Sequence, residues 1–314
     1  MVNIKRELYP FNGRKLALKD GNQLHYIDSG QGQTLLMLHG NPTWSFYYRR
    51  LIPAFNGHYR CVAPDHMGMG MSDKPDDSKY SYTLERRVQD LEDLIEHLHL
   101  RNITLVVHDW GGMIGMALAH KHPDWFKRFV IFNTGAFHLP PGKSFPLSLS
   151  IARTPIGTVL IRGFNMFCKS AVKWCCTRRP MDPDVAQGFL APYDNWANRI
   201  ATLRFVQDIP LKPRHKGYQL ITDVQNNLGQ FKEMPMLICW GMKDFVFDGH
   251  FLAEWIKYFP AAKVHKFDDC GHYILEDAHE EIIPIMQEFL ASNPVQLEHV
   301  GTLHGPRKKL GDTI

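Results

Sequence analysis

The chain reads as an α/β fold: a mostly parallel eight-stranded sheet, helices on both faces, and a helical lobe inserted before the seventh strand. Three observations predict it. Apolar runs of four to six residues alternate with helix-length amphipathic stretches, which is the pattern of strands covered on both faces. That alternation stops between Asn133 and about Gln230, where Pro, aromatic and basic residues dominate, and it returns at "MPMLICWGMKD". The 314 residues, 44% hydrophobic and 22% charged, also suffice for one large core plus a lobe.

The elements follow in order. "KLALKD" and "QLHYIDSG" predict an edge hairpin, because the intervening "GN" is a turn dipeptide. "TLLMLH", "YRCVAPD", "ITLVVH", "RFVIFN", "MLICWG" and "AKVHKF" supply six further strands. Helices are clearest at 83–98, 110–121 and 274–290. In the first of these Thr83 is placed to cap the amino end, and Leu84, Val88, Leu91, Leu94, Ile95 and Leu98 share one face. The predicted division is a first core part at 1–134, a helical cap lobe at 135–230, a second core part at 231–292 and a flexible tail at 293–314. Phe137, Phe145, Trp174, Phe189, Trp196 and Phe205 are the lobe's candidates for a hydrophobic pocket roof.

Bulk properties exclude several classes. A formal charge of +4, with basic residues scattered except for "PRKK" near the end, gives no reason to expect a nucleic-acid partner. The amino end lacks a signal-peptide stretch, and the long apolar region near 145–167 is interrupted by Arg153, Pro155, Gly157 and Arg162, so a cytoplasmic protein without a transmembrane segment is expected. The six cysteines, at 61, 168, 175, 176, 239 and 270, have no metal-ligand spacing and read as reduced thiols. Neither a metal nor a cofactor is expected.

Parallel sheets collect ligands at the carboxyl ends of their strands. Chemically useful groups stand after four strands: "HGNPTW" (39–44) after the third, Asp109-Trp110-Gly111-Gly112 after the fifth, Asp244 after the seventh, and His272 after the eighth. The order nucleophile, acid, histidine matches that of hydrolases with a serine in a Gly-x-Ser-x-Gly elbow, but here the elbow carries Asp109 and the chain has no Gly-x-Ser-x-Gly. A carboxylate at a helix amino terminus should stay ionised near neutral pH and needs no base before it attacks. Attack on an sp3 carbon would leave an alkyl ester that water activated by His272 can hydrolyse, with Asp244 orienting the imidazole. Backbone N–H groups of Asn41 and Trp110 would hold the oxyanion. Their side-chain N–H groups would stabilise a departing halide or oxyanion without carrying charge.

Each residue alone also has a plainer reading. An isolated Asp before an apolar helix is an N-cap, Trp110 alone would be core packing, and Asn41 alone a turn residue before Pro42. The joint occurrence after successive strands favours the catalytic reading. His39 and His108 read as structural, and Asp65 as a turn organiser supporting the site wall. Asp268 and Asp269 lie too close to His272 in sequence to replace Asp244.

On "HGNPTWSFYYR", "HDWGG" and the Asp-then-His ending, residues 10–292 resemble the haloalkane dehalogenases of the α/β-hydrolase superfamily. The resemblance implies Asp109 as nucleophile, His272 as base, Asp244 as triad acid and Asn41 with Trp110 as the halide-binding pair. It implies cleavage of a carbon-halogen bond of an apolar haloalkane to alcohol and halide. One branch of that family places a glutamate after the sixth strand as triad acid; this sequence has none there and matches the branches with aspartate after the seventh. "RGFN", "APYDNWANRIATLRFVQDIPLKP" and "ICWG" with "DFVFD" also resemble the β-lactone decarboxylases of long-chain olefin biosynthesis. That likeness implies a long-chain cis-β-lactone, a cis-alkene and carbon dioxide as products, and a complex with the other enzymes of the pathway. Epoxide hydrolases share the elbow and would need lobe tyrosines, for which Tyr193 and Tyr218 are candidates. A coelenterazine-type luciferase and a non-catalytic binding protein share the fold, the latter being expected to have lost a triad member.

Overall fold

The computed structural model describes residues 4–295; most of the expected flexible tail, residues 296–314, lies outside the described residues. Among the described residues eight strands form one sheet in the order β1-β2-β4-β3-β5-β6-β7-β8. These are β1 (Arg14–Ala17), β2 (Gln23–Ser29), β3 (Thr34–Leu38), β4 (Arg60–Pro64), β5 (Ile103–Asp109), β6 (Phe126–Thr134), β7 (Met236–Gly241) and β8 (Lys263–Phe267). β1 pairs antiparallel with β2, as the "GN" hairpin requires, and β2 pairs antiparallel with β4; every later pairing is parallel.

The central strands are buried at every position because both faces are covered. Side chains alternate between the two faces. Leu36, Leu38, Leu105 and Val107 join the cluster under the helices Leu84–His97 and Trp110–Lys121. Leu35, Met37 and Val106 join the opposite cluster, which includes Ile274, Ile282, Met286 and Phe289 of the helix Ile274–Ser292. Thr83 caps the helix Leu84–His97, its hydroxyl accepting from the Arg86 N–H at 3.3 Å.

Between β6 and β7 the chain forms short helices at Leu147–Ala152, Pro155–Thr158, Met166–Trp174, Pro183–Leu190 and Ile200–Gln207. The lobe has a small apolar cluster of its own in Ala152, Ile161, Leu203 and Val206. The helix Tyr218–Asn227, within the predicted lobe span, instead packs on the core helix Trp110–Lys121, and its Ile221 and Val224 belong to the main core cluster. A buried ion pair fastens lobe to core: Arg87 Nη1 lies 2.8 Å from Asp208 Oδ2, with the guanidinium over the Phe205 ring. All six cysteines are free.

The approach of the helix Trp110–Lys121 to β3 depends on a missing side chain. A Cβ on Gly111 would stand 2.0 Å from the Leu38 carbonyl oxygen, which is backbone and cannot step aside. Gly57 has nothing within 4 Å. Gly111→Ala is therefore expected to lower stability by about 1–3 kcal/mol through overpacking, while Gly57→Ala stays within about 0.5 kcal/mol. Urea denaturation midpoints of the two variants measure the contrast.

Candidate active site

β5 ends in a conformation that few residues adopt. Asp109 has φ 50° and ψ −126°, and the β5–β6 register shifts between His108 and Asp109. This outlier turns the chain sharply into the helix Trp110–Lys121 and presents the carboxylate at its amino end. Small residues make room for it. A Cβ on Gly40 would lie 2.0 Å from Asp109 Oδ1, and one on Gly112 would lie 2.0 Å from Thr134 Oγ1. The Thr134 hydroxyl donates to the Asp109 carbonyl oxygen and ties the turn to the end of β6.

The five residues expected from the sequence converge here. The Asn41 backbone N–H donates to Asp109 Oδ1 at 2.6 Å, and the neighbouring Trp110 backbone N–H also favours the charged carboxylate. Asp109 Oδ2 stands 3.7 Å from His272 Nε2. On the far side of the imidazole, Nδ1 is 2.7 Å from Asp244 Oδ2, while Asp244 Oδ1 accepts from the Val246 and Phe247 N–H groups at 2.7 and 3.1 Å. Asp269 instead pairs with Arg178, away from the imidazole. The Asn41 side chain donates through Nδ2 to the Thr202 carbonyl at 3.1 Å, which leaves the other amide N–H for a ligand.

The supports around the triad include His39, His108 and Asp65, which the sequence reads as structural, and Asn133 and Thr202, which carry no mark in it. His108 Nε2 donates to the His272 carbonyl oxygen at 2.8 Å. Asn133, at the end of β6, both accepts from the Gly241 N–H at 2.8 Å and donates to the Gly241 carbonyl at 3.0 Å, fixing the strand end from which Asp244 follows. Thr202 is visible only in three dimensions, 161 residues from Asn41. Burial pushes the His39 pKa down to about 4, and His39 Nδ1 donates to the Gly40 carbonyl while Nε2 accepts from the His66 N–H. Buried Asp65 accepts from the Ser45 and Met71 N–H groups and pairs with His25, organising the neighbouring loop.

A cavity of about 310 Å³ opens onto Asp109, Trp110, Asn41 and His272 beneath the lobe. Phe137, Phe145 and Trp174 line it; Phe189, Trp196 and Phe205 do not. Phe189 packs with Phe46 and Tyr273 in the core, Trp196 sits at the surface under Arg162, and Phe205 wedges against Trp110. Neither candidate epoxide tyrosine lines the cavity. The Tyr193 hydroxyl donates to the Thr43 carbonyl, and Tyr218 stacks on His138.

Residues 33–279 match the alpha/beta hydrolase fold family. The chain belongs to it. Over 285 residues this hydrolase is 55% identical to the cis-3-alkyl-4-alkyloxetan-2-one decarboxylase of Shewanella oneidensis, covering 90% of the chain and 89% of the relative. It is 45% identical to the enzyme of the same name from Xanthomonas campestris pv. campestris, over 91% and 98% of the two chains. Haloalkane dehalogenase 2 of Mycobacterium tuberculosis is 31% identical over 88% and 94%. A solved haloalkane dehalogenase from Agrobacterium tumefaciens C58 superposes with a TM-score of 0.80 at 22% identity, covering 90% of this chain and 97% of that one, and so shares its fold.

Electrostatics in this hydrolase site set burial against paired charge. Burial raises the Asp109 pKa, and His272 with the two backbone N–H donors opposes it without cancelling it. The helix amino terminus alone would have predicted the opposite direction. Burial disfavours the His272 imidazolium, but Asp244, through charge and hydrogen bond, and then Asp109 outweigh it, so the His272 pKa lies above its ordinary value of 6.5. The stabilisation is fully present below 6.5 and is lost as pH rises through the higher folded pKa. Asp244→Asn removes the dominant opposing charge and is expected to drop the His272 pKa below 6.5. A pH titration of the His272 imidazole by NMR, wild type against variant, checks the reversal.

Proposed function

We propose that this α/β-hydrolase-fold enzyme is a cis-β-lactone decarboxylase, converting a 3,4-dialkyl oxetan-2-one into a cis-alkene and carbon dioxide in the cavity above Asp109. The observation carrying this reading is 55% identity, across nine-tenths of the chain, to a decarboxylase of that substrate class. The largely apolar cavity lining beside a single carboxylate supports it. Asp109 is the nucleophile, His272 and Asp244 are the charge-balancing pair, and Asn41 with Trp110 are the anion-binding donors.

The chemistry follows from the geometry. An Asp109 oxygen attacks C4 of the lactone, the C4–O bond breaks, and the ring opens to a carboxylate that Asn41 and Trp110 stabilise by N–H donation. The C2–C3 bond electrons then form the C3=C4 double bond as carbon dioxide leaves, and the C4–O bond to Asp109 breaks, restoring the aspartate. Inversion in the first step followed by anti departure in the second carries a cis ring to a cis alkene. No water enters the cycle. His272, held toward the imidazolium by two carboxylates, balances their charge without transferring a proton.

Dehalogenation is the second reading. The Asn41 and Trp110 donors beside Asp109 and the 31% identical dehalogenase relative favour it. Here the alkyl ester on Asp109 must be hydrolysed by water, and His272 must be neutral to take the proton. Among the described residues no helix is long and apolar enough to cross a membrane. A cytoplasmic location, and association with the enzymes that make the lactone, belong to the same proposal.

Products and pH separate the two. Incubation with a synthetic long-chain cis-β-lactone is expected to give alkene, read by gas chromatography, and 1-bromobutane little bromide. Bromide release without alkene would reverse the order of the two readings. Any bromide release should rise as pH passes upward through the raised His272 pKa, above 6.5, because the neutral base is required. Alkene formation, which takes no proton from water, should show no such rise. His272→Phe should accordingly abolish bromide turnover while retaining part of the alkene rate.

A further inference from the structure

The lobe's outer surface combines, among the described residues, exposed apolar side chains with unpaired cations. Nine of the eleven large apolar side chains this chain exposes, among the described residues, fall between 139 and 174. Leu147, Ile156 and Phe164 are 75%, 68% and 61% exposed and lie outside the cavity lining. Their segments, Leu147–Ala152, Pro155–Thr158 and the turns that follow through Met166–Trp174, pack on one another in series, so these side chains stand on neighbouring segments of the lobe. Patches of this kind mark interaction sites.

Charge decides the kind of partner. Residues 135–181 contain Lys143, Arg153, Arg162, Lys169, Lys173, Arg178 and Arg179, and no Asp or Glu. Lys143, Arg153, Arg162 and Arg178 are engaged by Asp248, lobe carbonyls and Asp269. Lys169 and Lys173 are exposed and join no ion pair among the described residues, as do Lys212, Arg214 and Lys216 on the adjoining loop, whose Pro210 and Leu211 line the cavity. Arg153 Nη1 donates to the Ile209 carbonyl at 3.1 Å, which holds that loop against the patch.

The patch is also continuous with the cavity. Leu139, Ile151, Leu160, Met166, Trp174 and Phe245 are each more than a third exposed and also line it, so they form its mouth. An apolar molecule leaving a hydrocarbon phase there meets apolar side chains from the surface down to Asp109.

We propose that this lobe face docks on an anionic lipid bilayer, the apolar side chains entering the interface and the unpaired lysines and Arg214 meeting lipid phosphates, with the cavity mouth facing the membrane. Short amphipathic segments with a cationic rim bind in this interfacial way without spanning. The proposal goes beyond the reaction assigned above, and vesicle binding reads it whichever substrate the site takes.

Flotation of the full-length protein with vesicles of phosphatidylcholine containing about one third phosphatidylglycerol tests it against phosphatidylcholine alone. Binding to the anionic vesicles, weakened by added salt, is expected. The Lys169→Glu/Lys173→Glu variant should bind about tenfold less, and so should Leu147→Ser/Ile156→Ser/Phe164→Ser, both with unchanged melting temperatures and unchanged turnover of a short-chain soluble substrate. The two variants act by different terms, so one poorly folded protein does not decide the outcome. Absence of vesicle binding, equal binding by the variants, or a self-association that the apolar variant dissolves in the absence of lipid would each overturn the proposal; the last would assign the face to a second copy.

Discussion

The backbone turn at Asp109 is the constraint on which the rest of the site depends. A positive φ at a non-glycine residue is tolerated only where its surroundings over-determine it, and here they do. β5 is buried on both faces, the Thr134 hydroxyl holds the Asp109 carbonyl, and Gly40, Gly111 and Gly112 leave space where any side chain would collide. The turn places one carboxylate oxygen under the Asn41 backbone N–H and the other toward an imidazole. Loss of the turn would separate groups that come from four strand ends.

Electrostatic balance follows from that placement. Asp109, His272 and Asp244 are all buried, and a lone ion at such a site would be costly. Two carboxylates flanking one imidazolium share the burden with fixed N–H dipoles. The net result is a histidine raised and an aspartate raised, each by a different winner: paired charge for His272, burial for Asp109. An aspartate suits this setting better than a serine, because it reaches its nucleophilic form without handing a proton to the histidine. The histidine's role then depends on whether water must follow, which distinguishes decarboxylation from dehalogenation on one constellation.

Much of this was legible in the sequence, and the limit has a physical form. Strands declared themselves because apolar runs buried on both faces leave few polar residues, and the elbow declared itself because "HDWGG" follows such a run. Asp244 was separable from Asp268 and Asp269 because those two lie too close to His272 in sequence to reach its ring. The lobe was less readable. Phe137, Phe145 and Trp174 face the cavity whereas Phe189, Trp196 and Phe205 do not, since short helical segments carry no strong periodicity and aromatic residues serve core and pocket equally. Long-range supports such as Thr202 for Asn41 and Asn133 for Gly241 left no local pattern, because their hydrogen bonds join residues more than a hundred positions apart.

The central claim is that an Asp109 oxygen makes the first new bond to substrate carbon. Rapid-quench mass spectrometry of the peptide bearing Asp109, sampled during a single turnover of excess enzyme with a cis-β-lactone and paired with the same assay on Asp109→Asn, tests it most directly. The account predicts a transient peptide heavier by the whole lactone, appearing before alkene, and no alkene from the variant. Alkene formed by the variant at the wild-type rate, with an unmodified peptide throughout, would contradict it.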